Sequence, residues 1–333
     1  MRHSVLLRGF TLTAFCLCLA VVVLGAYVRL TAAGLGCPDW PGCYGHFSPA
    51  TAVEALDPGK AWREMIHRYA ASTLGLLIVI ITAVGLTFRR ERLVPVPYAV
   101  VLLLAVVLQG ALGMLTVTLR LKPLIVTLHL LFGFTTLSLL WWLLLTLNRR
   151  RSGAWGAAPS AGPVFAGESG AAGARTLALA GLVILGLQIA LGGWTSSNYA
   201  ATACPDLPTC QGSFWPATDF RDAYVLWHGM GINYAGGVLA GPARVAIHLT
   251  HRFGALIATL ALVAAALATL RTRPGGLASR AAAGVLVALA LQLTIGIAMV
   301  LRGFPLWLAT AHNAGAALLL LAVVALNRGL RPG

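Results

Sequence analysis

Residues 123–147, PLIVTLHLLFGFTTLSLLWWLLLTL, decide the fold. The stretch holds no charged residue and one ionisable one, His129. As a helix it is long enough to cross the hydrocarbon core of a bilayer. In lipid a segment must satisfy its own backbone groups, which a helix does and an open sheet does not. Seven more such runs can be drawn outward from it: 10–31, 65–88, 96–118, 176–197, 244–270, 280–301 and 304–327. The whole chain of 333 residues is 59% hydrophobic and only 10% charged, with mean hydropathy +0.84. These features predict an all-α membrane protein of eight transmembrane helices.

The net charge of +15 comes from 24 Lys and Arg against 9 Asp and Glu. No basic patch with interleaved aromatics points to nucleic acid. The arginines give topology instead. Arg2, Arg8, Arg89, Arg90, Arg92, Arg149, Arg150, Arg151, Arg175, Arg271, Arg273, Arg280, Arg328 and Arg331 all fall on one side of an eight-span chain. The positive-inside rule makes that side cytoplasmic. Both termini are then cytoplasmic, and the long loops 32–63 and 198–243 lie outside. The first apolar run lacks a clear cleavage site and is read as a span. A bacterial inner membrane is the simplest setting.

The chain is duplicated. CPDWPGC, with Cys37 and Cys43, returns as CPDLPTC, with Cys204 and Cys210, shifted by 167. HRYAA returns as HRFGA, so His67 matches His251 at a shift of 184, and His129 matches His312 at 183. Gln109 and Gln292 each precede a histidine by 20 residues. The Gly/Ala/Ser/Pro- and Arg-rich stretch 149–175 reads as a cytoplasmic linker. It divides an N-terminal half, 1–148, from a C-terminal half, 176–333. With four spans each, the halves point the same way, as in parallel repeats. Pro123 and Pro305 stand at helix starts, where proline is tolerated.

A lone membrane histidine can be a bridge between helices. Four in duplicated register point to ligation. Each pair lies on alternate helices near the outer end, where a bundle builds cofactor sites. Two neutral imidazoles suit a heme iron, whose porphyrin supplies the other four nitrogens. Zinc wants at least three protein ligands, and no further Cys or His stands beside each pair. His3, His46 and His228 are unmatched and read as terminal or loop residues. The chemical asymmetry between the sites is Glu64, three residues before His67, against His248, three before His251. Such a carboxylate suits proton transfer or stabilisation of a developing cation, or an interfacial pairing with Arg63 or Arg68. Arg68 and Arg252 suit propionate binding or snorkelling. Cys37–Cys43 and Cys204–Cys210 lie in outer loops where disulfides persist. A loop staple and a redox-active pair both remain open for them. Cys16 and Cys18, inside the first span, read as packing residues.

At these residues the chain resembles the heme A synthase family. The matching segments are LGAYVRLTAAGLGCPDWPGC, EMIHRYA, QGALGMLTV, TLHLLFG, LGGWTSSNYAATACPDLPTC, GINYAGGVLAGPARVAIHLTHR and TAHNAG. Ala32–Ala33 departs from the more polar residues expected before Gly34. The resemblance implies two four-helix halves. It implies heme b held by His251 and His312, and substrate heme O bound by His67 and His129. It makes Glu64 the catalytic carboxylate of the substrate half. The implied reaction oxidises the C8 methyl of heme O to a formyl group by two successive hydroxylations and loss of water, giving heme A for terminal oxidases. Cys37–Cys43, beside that half, is then the pair with the functional role. The heme O synthase, an electron donor, the lipid bilayer and further copies of the chain are its candidate partners. Three other classes compete. A di-heme b-type electron carrier has no use for Glu64 or the cysteines. A thiol oxidoreductase leaves the histidines unexplained. A transporter would want broken helices near the midplane.

Overall fold

The computed structural model describes residues 2–51, 57–91, 94–151, 168–273 and 276–331. They form α1 (Arg2–Leu30), α2 (Pro58–Thr87), α3 (Val96–Thr118), α4 (Pro123–Arg151), α5 (Glu168–Ser197), α6 (Phe220–Ala223), α7 (Gly241–Thr272), α8 (Leu277–Leu301) and α9 (Leu306–Gly329). All but α6 are long and apolar enough to cross a membrane, which makes eight candidate spans among the described residues. The chain is therefore an all-helical, multi-pass membrane protein. Arg92 and the centre of the linker, 152–167, lie outside the described residues.

Several helices outrun their apolar cores. The span expected from 65 begins at Pro58, because Asp57 caps the helix and Pro58 sits in its first turn. The Asp57 Oδ1 accepts the Lys60 N–H at 3.0 Å, which satisfies one of the free amides of a helix start. Hydropathy marks what crosses lipid and misses these polar first turns. Likewise α4 runs on to Arg151 and α5 starts at Glu168, inside the stretch read as linker. The short α6, capped by Asp219, lies in the long loop and has no apolar signature.

The same packing plan occurs twice. In the first half α1 packs on α2 and α4, α2 on α3, and α3 on α4; in the second α5 packs on α7 and α9, α7 on α8, and α8 on α9. The halves meet where α4 packs on α5 and α9 and α1 packs on α9. One large core of leucines and small residues runs through both, with Leu137, Leu140, Ala317 and Leu326 fully buried. Polar ties cross the seam: the Trp141 indole N–H donates to Leu321 O at 3.0 Å, and the Arg29 guanidinium to Ser196 O at 2.8 Å. Cys18 joins the core while Cys16 faces outward, so only Cys18 is a packing residue.

Candidate functional site

Each paired histidine leans on a glycine of the preceding spanning helix. A methyl group built on Gly25 would stand 2.9 Å from His67 Cε1; on Gly113, 3.3 Å from that of His129; on Gly192, 3.3 Å from that of His251; on Gly296, 3.0 Å from that of His312. At Gly25 a Cβ would force the ring to shift, and at the other three it would press on the ring more tightly than ordinary contacts do, so glycine gives each ring its close seat. His67 and His129 lie within electrostatic reach of one another, as do His251 and His312. The structure thus brings together the residues that the repeat pairs on paper.

Three of the four rings also have an amide partner. Gln109 Nε2 lies 3.4 Å from His129 Nε2, and Gln292 Nε2 lies 3.2 Å from His312 Nε2. Gln188 Nε2 lies 3.1 Å from His251 Nδ1 and donates to the His251 carbonyl at 3.0 Å. Each glutamine stands four residues before the glycine that seats its ring. The sequence pattern linked Gln109 and Gln292 but missed Gln188, whose counterpart before Gly25 is Val21. His67 alone has no such amide. Nδ1 of His67, His129 and His312 is buried without a partner, and so is Oε1 of all three glutamines. If the Gln109 or Gln292 amide turns by 180°, its Oε1 accepts an imidazole N–H. The other ring nitrogen then presents its lone pair, the arrangement that orients metal-ligating histidines.

The Glu64/His248 asymmetry is built into the loops. Glu64 is 4% exposed. Its Oε1 pairs with Arg68 at 2.5 Å, and its Oε2 accepts the Cys37 N–H at 2.9 Å. In the second half the His248 ring, 5% exposed, meets Ala200 O through Nδ1 at 3.1 Å. Arg68 makes the pairing with Glu64 that the sequence offered, and both arginines also reach loop carbonyls. Arg68 donates to Asp39 O at 2.9 Å and Gly42 O at 2.6 Å; Arg252 donates to Asp206 O and Thr209 O, both at 2.8 Å. These carbonyls belong to the cysteine loops, which hydropathy and helix-face arguments could not place next to them.

Both cysteine pairs are disulfides, Cys37–Cys43 with Cα atoms 4.7 Å apart and Cys204–Cys210 at 4.6 Å. Each loop is organised by an aspartate. Asp39 accepts from the Tyr44 and Gly45 amides, and Asp206 from the Gln211 and Gly212 amides. The Thr209 hydroxyl also donates to Asp206 and holds its carboxyl below the usual range. Ala32, at φ +51°, closes α1 with the Ala33 N–H on Val28 O, as Tyr199, at φ +54°, closes α5. The left-handed turn there is set by backbone geometry and needs no hydroxyl.

A porphyrin iron needs only two protein ligands, so His67 with His129 and His251 with His312 would suit it better than a bare ion. Among the described residues no three His, Cys, Asp or Glu side chains converge as a metal ion would require. The unpartnered ring nitrogens of His67, His129 and His312 fit a group that each pair would hold.

Fold and site together define a multi-pass helical membrane protein with two histidine pairs on one repeated plan. The chain belongs to the COX15-CtaA family, described as cytochrome oxidase assembly protein, whose pattern matches residues 8–324. It is similar to proteins named heme A synthase. That of Shewanella oneidensis is 42% identical over 93% of this chain and 92% of its own. That of Paracoccus denitrificans is 28% identical over 93% of this chain and 84% of its own. That of Granulibacter bethesdensis is 26% identical over 99% of this chain and 88% of its own.

Proposed function

We propose that this chain is an oxidoreductase that converts heme O to heme A in a bacterial inner membrane. The observation that carries this reading is one asymmetry on a duplicated frame: two matched histidine pairs, with a buried carboxylate, Glu64, beside only one of them. His67 and His129, in the half 1–148, would bind the iron of substrate heme O. His251 and His312, in the half 176–333, would hold a resident heme b. Bound there, heme b supplies one-electron redox chemistry. The shared family and the relatives' names support the reading. The disulfide loops support an extracytoplasmic position for 32–63 and 198–243, since disulfides persist on that side. Both termini and 149–175 would then be cytoplasmic.

Glu64 sits one turn from His67 on α2, the spacing that brings side chains together on one helix face. With one oxygen on Arg68 and the other on the Cys37 amide, it is a held charge. A held carboxylate favours electrostatic stabilisation of positive charge developing on the substrate over free proton shuttling. His67, with no amide partner, is the more easily exchanged ligand, which suits a substrate that must leave as product. The glycine seats and packed helices fix the rings and keep water from the reacting methyl.

The reading is tested by expressing the chain in cells supplied with heme O synthase and extracting its pigments for mass analysis. Heme A, or its hydroxylated precursor, together with heme B is the expected result. Heme B alone, with heme O and reductant present, would favour a di-heme electron carrier.

A further inference from the structure

The residue seven places before each paired histidine lies on the same helix or at its N-terminal edge, nearly two turns and about 10 Å along the axis from the histidine. Those residues are Lys60, Lys122, Arg244 and Pro305. Three of the four are basic, in a chain where charge is scarce. Lys60 is exposed and is drawn to Asp57 at 3.8 Å. The other two line cavities at the loop end of the bundle, one in each half.

Lys122 is only 2% exposed. Its Nζ donates to Gly229 O at 2.6 Å and lies 3.1 Å from the centroid of the Trp227 ring. No carboxylate among the described residues pairs with it. An ammonium has three donors, and the carbonyl and the ring engage two directions. With Arg120, Met230 and Gly231 it lines a cavity of about 190 Å³ that therefore carries two cations and no anion. A buried cation without a counter-charge is costly, which favours an anion in that space.

The roof of this cavity comes from the other half. Cys210 and His251 are 41 residues apart, against 24 for Cys43 and His67, so the second loop carries 17 more. Part of that excess crosses to the α3–α4 turn, where the Tyr234 N–H donates to Arg120 O at 3.1 Å. In the second half Arg244 lines a cavity of about 360 Å³ with Thr202, Gln211 and Gly241. Its Nε is buried without a partner.

We propose that the two cavities are carboxylate subsites. Lys122, aided by Arg120, takes a propionate of the porphyrin held between His67 and His129. Arg244 takes a propionate of the porphyrin held between His251 and His312. The inference rests on the heme assignment above. A phosphate of a lipid headgroup presents the same oxyanion chemistry, and the experiment separates the two sources.

The full chain, purified with its second-half heme in place, is titrated with iron protoporphyrin IX and, separately, with the dimethyl ester. Absorbance reads occupancy of the first-half site, and mass spectrometry reads retained phosphatidylglycerol. The free acid is expected to bind roughly ten-fold tighter than the ester, as a charge-assisted hydrogen bond allows. Lys122→Met should erase that difference and Lys122→Arg should keep it, with the second-half heme spectrum unchanged in both. Equal affinity of the wild type for acid and ester overturns the proposal without any variant. Loss of bound phosphatidylglycerol in Lys122→Met, with acid–ester discrimination intact, also overturns it and makes lipid phosphate the ligand. Failure of the wild type to take up any first-half porphyrin, unchanged by His67→Ala, marks failure of the heme assignment itself.

Discussion

The two halves share a packing plan and differ in how firmly they grip. In the second half both rings are braced by amides, His251 by Gln188 and His312 by Gln292. In the first half only His129 is braced, by Gln109, while His67 stands on a helix pair where Val21 replaces the glutamine. The first half instead has Glu64, tied through Arg68 and the Cys37 amide to its disulfide loop. A resident cofactor benefits from two fixed ligands. A substrate needs a charge near its reacting edge and at least one ligand that lets go. On the proposed function, duplication would supply the frame and a few substitutions would divide the labour.

That comparison breaks first at the histidines. His251→Ala and His312→Ala should each abolish the stably bound heme B. His67→Ala and His129→Ala should keep it and lose heme A formation, both read by pigment extraction. Next in size is Glu64→Gln, which should lower heme A output by about 100-fold, the scale of losing one preorganised electrostatic group. It also leaves Arg68 without its buried counter-charge, so the melting temperature should fall by the equivalent of about 3 kcal/mol. Normal output from Glu64→Gln would reduce the carboxylate to a loop fastener.

Smaller effects sharpen the contrast. Gln292→Leu should weaken heme B retention by roughly 10- to 100-fold, as loss of a ligand-orienting group does. Val21→Gln should copy the second half into the first, tighten porphyrin ligation there and slow product release. Unchanged release would show that the bare His67 is not the exchangeable ligand. Smallest are the disulfides. Each closes a loop with a sequence separation of 6, which limits its stabilisation to about 2 kcal/mol. Cys37→Ser should nevertheless lower turnover a few-fold more than Cys204→Ser, because only the first loop holds Glu64 through a backbone amide. Equal, mild effects would make both disulfides plain staples.

Much of this was legible in the sequence. The eight apolar spans and the two disulfide-bonded cysteine pairs were legible, since hydropathy and duplication are signals that need no tertiary information. Gln188 was hidden because it has no partner in the first half, so the repeat could not flag it. The glycine seats were hidden because an intrahelical glycine has many explanations until a ring is seen against it. The loop contacts of Arg68 and Arg252 were hidden because a long, flexible side chain reaches carbonyls that sequence distance does not reveal. The crossing of the second-half loop onto Lys122 is of the same kind: a long-range contact between segments 107 positions apart.

On the proposed function the second histidine pair holds the cofactor and the first pair the substrate. The direct measurement is heme B and heme A content, per mole of protein, in His312→Ala and His129→Ala expressed side by side with heme O available. His312→Ala should contain no heme B, and His129→Ala should contain full heme B without heme A. Full heme B in His312→Ala, or equal loss of heme B from both variants, would contradict that assignment.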